Sequence, residues 1–385
     1  MAAIVSVNVS QQVAPIPNLL QRTGCILSAG GSSLTIGVPY FLSQASDAVA
    51  AGITGGSAFN RVNTFFAQSQ TASAFPGSSA LVTGGQGVYV MEVGTAGVAA
   101  EIANLQAYLN APVPASNTDS LTPPQFYAYL VPPAWDQSSN FVTFLAGFES
   151  TTAHTYFYVQ TALPTGSPAT GGYVTYEGKK CVYCVMESPT APSSEESVAA
   201  FFYVALNYAP STVNLVAPME FKYLYGVTPY NLSPVQQIAA ANAGCNWVST
   251  GAEGGISNTL IATGEFMDGN PFNYWYAIDW VVIQSIEALS NAIINGSNNP
   301  TNPLYYNQQG INTLQKVEQS VMNEGVSFGM ILAPVLVTAV DFNTYVTENP
   351  GDYATGTYNG LACTFTPARG FAAITVNLTA TNIPT

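Results

Sequence analysis

Charge is nearly missing from this chain, and that constrains its folded form more than any motif. Only 7% of its residues are Asp, Glu, Lys or Arg, where an ordinary soluble domain carries about 25%. Hydrophobic residues make up 48%. A folded monomer would show water a surface that is largely apolar or neutral-polar, and such surfaces associate. A chain of this kind rests in a membrane or in a packed assembly.

The membrane reading is the weaker one. The apolar run from Val326 to Val340 is broken by Ser327, Gly329, Pro334 and Thr338. It falls short of the roughly 20 residues a span needs. The run from Tyr274 to Ile283 is apolar but carries Asp279. The opening MAAIVSVNVSQQ has no basic start and no long apolar stretch, so no secretory leader is expected there. That also counts against an exported barrel. Net charge is −14, and Arg22, Arg61, Lys222, Lys316 and Arg369 are scattered, with only Lys179 and Lys180 adjacent. Gripping a phosphate backbone takes clustered cations, so no nucleic-acid binding is expected.

Periodicity assigns the elements. Val5, Val7 and Val9 alternate with polar residues near the start, and Ile374, Val376 and Leu378 do so near the end. Such alternation marks half-buried strands. Each sits beyond a tether: Gln11 to Asn18 holds Pro15 and Pro17, and Asn349 to Gly370 reads as turn-rich. These strands either close the chain's own sheet or pair with edges on neighbouring copies.

Between them, strands are expected at 86–93, 126–131, 156–161, 181–186 and 335–340. Helices are expected at 58–68, 96–109, 141–148, 194–206, 235–243, 272–294 and from Asn307 to Gly325. The Ser/Pro/Gly-rich pieces at 111–124 and 164–172 read as surface loops. Strands alternating with helices define a mixed α/β fold with some parallel sheet.

No constellation for catalysis emerges. The single histidine, His154, has no nucleophile elbow to serve. Gly178–Lys179 is followed by Lys180, and Tyr173 stands where a phosphate loop needs glycine. The glycine pairs at 30–31, 55–56 and 84–85 read as flexible loops. Cys181 and Cys184 form a C-x-x-C without further ligands at metal spacing. On a strand, residues three apart point to opposite faces. Asp279 on the apolar helix implies a buried hydrogen bond or a contact between subunits, since a bare buried carboxylate is costly. No catalytic, cofactor or metal residue is assigned.

The segment from Gly264 to Gly325 carries the most specific pattern. A DG turn at Asp268–Gly269 leads into a helix with an Asp-Trp pair, Asp279–Trp280. A connector containing Pro303 follows, then a Gly-Ile helix start at Gly310–Ile311. This resembles the C-terminal region of bacteriophage contractile-tail sheath proteins, and FNRVNTFFAQ, VYVMEVG and FYAYLVPPAW agree more loosely upstream.

The resemblance implies a non-enzymatic structural subunit of the virion tail, assembled in the host cytoplasm. Subunits would stack as hexameric rings or a six-start helix around a tail tube protein, with baseplate and tail terminator proteins as further partners. Contraction would drive the tube through the host envelope. It implies no membrane insertion.

The resemblance also implies a layout. Residues 1–20 form an arm joining the sheet of the C-terminal domain, and 21–110 begin the core. Residues 111–235 form an outer α/β domain, and 236–385 the C-terminal domain with its own arm. Under it the terminal strands are inter-subunit strands. Cys25 and Cys363, which flank the arms, become candidates for disulfides between subunits in an oxidising medium. Otherwise all five cysteines serve as small buried hydrophobes. The alternative class is an exported outer-membrane barrel or surface-layer subunit, which low charge, many aromatics and Gly/Asn/Ser loops also fit.

Overall fold

In the computed structural model the residues described are 21, 23–68, 87–111, 126–150, 155–162, 171–187, 189, 197–206, 215, 218–230, 232–251 and 259–371. The expected terminal strands, His154 and nearly all of the loops at 111–124 and 164–172 lie outside them.

Short apolar runs build the centre. The strands β1 (Gly24–Ser28), β2 (Pro39–Leu42), β3 (Val88–Glu92), β4 (Ala128–Leu130), β5 (Tyr156–Thr161) and β6 (Val182–Met186) form one sheet in the order β2-β3-β1-β4-β5-β6. All neighbours are parallel except β2, which runs antiparallel to β3 at the edge.

Helices cover both faces, which is why the strands read as continuous apolar runs rather than as alternating ones. Alternation sorts side chains between two cores. Ile26, Val90, Leu130, Tyr158 and Tyr183 point to one core. There they meet α2 (Gly56–Ala67), α5 (Ser197–Leu206) and α7 (Phe272–Ser297). Leu27, Met91, Tyr129, Phe157 and Cys184 point to the other, against α3 (Val98–Leu109), α4 (Ser139–Ser150) and α6 (Pro234–Asn242). The short α1 (Asp47–Ala50) precedes α2. The mixed α/β expectation matches this sheet.

Beyond it, β7 (Val248–Thr250) and β8 (Thr259–Ile261) form an antiparallel pair. Helix α8 (Gln308–Ser327) packs along α7. Strand β9 (Val337–Ala339) pairs antiparallel with β10 (Leu361–Cys363), and the short helices α9 (Phe342–Glu348) and α10 (Pro350–Thr355) lie between them.

Several expectations need correction. The boundary at 110–111 falls within one sheet, because β1 is flanked by β3 on one side and β4 on the other. The segments 21–110 and 111–235 therefore share both cores. Strand β1 has too few residues to show a period, yet it is central. Gly24 lets α5 pack closely there, since a Cβ would lie 2.3 Å from the Leu206 side chain and push it aside.

The region 349–370 is not all turn but contributes α10 and β10. Gly325 does not stop α8. It lies inside the helix where Trp280 and Ile331 pack against it. Cys181 lies in the turn before β6, not on the strand, so it and Cys184 enter the same core. Gly30, Gly31 and Gly56 have positive φ and serve fixed turns rather than flexibility.

The 26-residue α7 is long and apolar enough to cross a membrane. Its apolar residues are packed into the core instead, from Phe272 through Ile283 to Leu289.

Candidate assembly site

The sequence motif forms a fastening system around α7. At its entry, Asp268 closes the DG turn. Its carboxylate oxygens accept from the Asn270 backbone N–H at 3.0 Å, the Asn270 amide at 2.8 Å and the Trp275 indole N–H at 2.9 Å. Gly269 supplies the left-handed φ of 78° that the turn requires. The same loop is hydrogen-bonded to the start of β6 through Met267, whose N–H donates to Val182 and whose carbonyl accepts from Gly178. So the glycine-lysine turn is fixed in place by this contact.

The Asp-Trp pair faces two ways, since adjacent helical residues point about 100° apart. Asp279 is buried toward the sheet, and its Oδ2 accepts from the Tyr127 hydroxyl at 2.7 Å and the Tyr156 hydroxyl at 2.8 Å. Burial first, then the Asp279 charge, pushes both tyrosines well above their usual range, so they remain donors. Trp280 instead packs on Phe328 at 5.7 Å and on Gly325. Asp279 thus ties α7 to β4 and β5, and Trp280 ties α7 to α8. A second tie is the buried Ser285 hydroxyl donating to Glu318 at 2.7 Å. Burial raises the Glu318 pKa, and this hydrogen bond opposes the rise.

The Gly-Ile start is a helix cap. The Asn307 side chain accepts from the Gly310 N–H at 2.9 Å, which satisfies one orphan donor of α8. A Cβ on Gly310 would lie 1.9 Å from the Tyr305 carbonyl oxygen, so only glycine fits. Ile311 is buried beside it. The motif residues Asp268, Gly269, Asp279, Trp280, Gly310 and Ile311 are therefore spread along the α7–α8 pair, the first two at the start of α7 and the last two at the start of α8.

At the carboxyl ends of the strands, where doubly wound sheets take ligands, the described side chains bond the chain's own groups. Counting only the parallel strands, the spatial order is 2-1-3-4-5, and ligands in such folds lie outside the carboxyl ends at the switch point. Beside that point, the buried Glu92 carboxylate accepts from the Ser28 and Ser32 hydroxyls at 2.8 and 2.6 Å. It also accepts from the Gly30 and Gly94 N–H groups, each at 2.9 Å. Buried Arg61 donates to the Val131 carbonyl just past β4. Sequence reading missed Glu92; its place at the end of an apolar strand was the available signal. Among the described residues, no group of three or more His, Cys, Asp or Glu is placed to hold a metal ion.

The small β9–β10 sheet presents a different surface. Thr338 and Ala362 are exposed on it, with Leu336 and Val340 at its ends. Among the described residues neither strand pairs with a third, but the outer edge of β9 is held by α8: the Val337 N–H donates to the Gln319 side chain at 2.9 Å, and the Gln315 amide donates to the Val337 carbonyl at 2.8 Å. Cys363, half-buried, ends β10, whereas Cys25 is fully buried in β1 between the other central strands. Burial removes Cys25 from the expected inter-subunit disulfide. The thiol pKa is raised by the same burial.

This doubly wound sheet with its appended helix pair and small two-stranded sheet has the fold of contractile-tail sheath and baseplate structures. One such structure is the six-fold symmetrised baseplate of the anti-feeding prophage. A chain of it matches over 97% of this chain and 96% of its own length, with TM-score 0.60 and 11% identity. The contracted-state baseplate of the same prophage matches over 98% of both chains, with TM-score 0.56 and 13% identity. The sheath tail protein of Desulfitobacterium hafniense matches over 87% of this chain and 93% of its own, with TM-score 0.50 and 9% identity. No protein-family model and no curated protein matches the chain.

Proposed function

We propose that this protein is a structural subunit of a contractile tail sheath, without catalytic activity. It polymerises around a tail tube, meets baseplate and terminator proteins at the ends, and contracts to drive the tube through a host envelope. The observation that carries the proposal is the shared fold over nearly the whole length of both chains. Low charge supports it, because neutral surfaces associate without desolvating ions.

The arms are assigned to mesh formation. The β9–β10 sheet rests on α8, which holds the outer edge of β9, while β10 pairs with no further strand among the described residues, and an unpaired edge can take an added strand. The β9–β10 sheet is therefore the receptor proposed for residues 3–10 and 372–380 of neighbouring copies. The Gly264–Gly325 unit is assigned to the tube-facing side, with part of 111–235 further out. A barrel in a membrane is the less favoured class, because the described sheet is open and covered by helices on both faces.

Negative-stain imaging of the purified protein tests the assembly directly, and tubes or stacked rings are expected. Deleting residues 1–12 or 372–385 should leave a folded subunit, by circular dichroism, that no longer polymerises. Normal tubes from either truncated chain would overturn the assignment of the arms.

A further inference from the structure

Gln21 and the pair Ala368–Arg369, far apart in the sequence, are fastened to the same stretch at the start of one helix. On the N-terminal side, the buried Gln21 amide donates to the Tyr276 carbonyl at 2.9 Å, and its side chain lies beside Tyr127. On the C-terminal side, the Asn273 amide donates to the Ala368 carbonyl at 2.6 Å. Arg369 donates to Asn270 at 3.0 Å and lays its guanidinium 5.2 Å from the centre of the Tyr274 ring. The Ala368 N–H donates to the Met330 carbonyl at 2.7 Å, which adds the segment just past α8 to the strap.

Positions 273 and 276 are three apart and so lie on one face of α7. One turn further on, Asp279 bonds the helix to β4 and β5 through Tyr127 and Tyr156. Tyr127 is therefore shared by the Gln21 contact and the Asp279 contact.

We infer that residues 273–279 of α7 form a junction that couples the root of the N-terminal segment to the root of the C-terminal segment. Displacing one root shifts a helix segment that the other root also holds, and the sheet behind it is braced by Asp279. Packed and hydrogen-bonded groups can carry coupling of this kind, and Gln21–Tyr276–Asn273–Ala368 form such a series. The inference rests on the sheath reading only for its use. In a mesh, tension from one neighbour would pass to the next through about two helical turns and not through the whole fold. Gln21 and Asn273 are positioning residues in this scheme.

Hydrogen exchange read by mass spectrometry on the full-length protein tests the junction. Gln21→Met and Asn273→Leu keep side-chain size but remove the bonding amide. Each should raise exchange about fivefold at its own root, the factor that one hydrogen bond's typical net worth gives. Each should also raise it measurably at the opposite root: residues 365–371 for Gln21→Met, and 23–28 for Asn273→Leu. The double variant should then fall short of the product of the single effects. Effects confined to the altered root, or a double variant equal to that product, overturn the coupling. A variant that loses its fold by circular dichroism is replaced by Arg369→Met, which touches only the C-terminal strap and carries the same expectation for 23–28. Exchange is read on the unassembled subunit, so a failure to form tubes bears on the proposed function and leaves this test intact.

Discussion

Asp279 offers the sharpest energetic test, because its surroundings fix the magnitude. It is 1% exposed, and one carboxylate oxygen receives hydroxyl hydrogens from Tyr127 and Tyr156, both also buried. Asp279→Ala leaves two phenol donors facing a space that water cannot reach. Each orphaned donor costs about 1–3 kcal/mol. With both donors orphaned, a loss of about 2–6 kcal/mol is expected. Tyr156→Phe removes one donor to a carboxyl group and should cost about 1.5–3 kcal/mol.

Replacing the whole cluster differs from breaking it. Asp279→Leu combined with Tyr127→Phe and Tyr156→Phe removes the polar groups together, and similar replacements elsewhere are often neutral. That triple variant should be more stable than Asp279→Ala. The assay is urea unfolding of the unassembled subunit followed by tryptophan fluorescence. A loss under about 1 kcal/mol for Asp279→Ala would refute the reasoning, since it would mean the donors find other acceptors. A triple variant as damaged as the single one would refute the distinction between breaking and replacing.

Two further outcomes follow from carboxylates elsewhere. Glu92→Ala empties a cradle of two hydroxyls and two N–H groups. It should cost about 3 kcal/mol, and formate or acetate, but not chloride, should restore part of the melting temperature; equal response to all three salts would show that the cradle does not persist. Burial, then the neighbouring Glu265, raises the Glu220 pKa from 4.5 to about 6. The folded state then holds a proton that the unfolded state has released, so this group's contribution is fully present below pH 4.5 and is lost as pH rises through about 6. Glu220→Gln should flatten that part of the melting-temperature profile, and an unchanged slope between these pH values would remove Glu220 as its source.

Local signals carried much of the fold. The alternation or apolar runs at 88–92, 128–130, 156–161 and 182–186 marked four of the central strands, because a strand's own residues set its pleat and burial. The start of α8 was legible in Asn307, whose cap depends only on the residues next to it. The motif from Asp268 to Ile311 was legible as a pattern, and the low charge as a statement about surface.

Tertiary structure alone decided the rest. Strand β1 is central because β3 and β4 bracket it, a fact that five residues cannot encode locally. The division of roles between Asp279 and Trp280 needed the sheet on one side of α7 and α8 on the other. Cys25 looked well placed to cross-link, but its exposure depends on which strands flank it. The convergence of Gln21 and Ala368 on one helix joins residues nearly a whole chain apart. Long-range contacts of this kind are fixed by packing and not by local preference, so no spacing in the sequence records them.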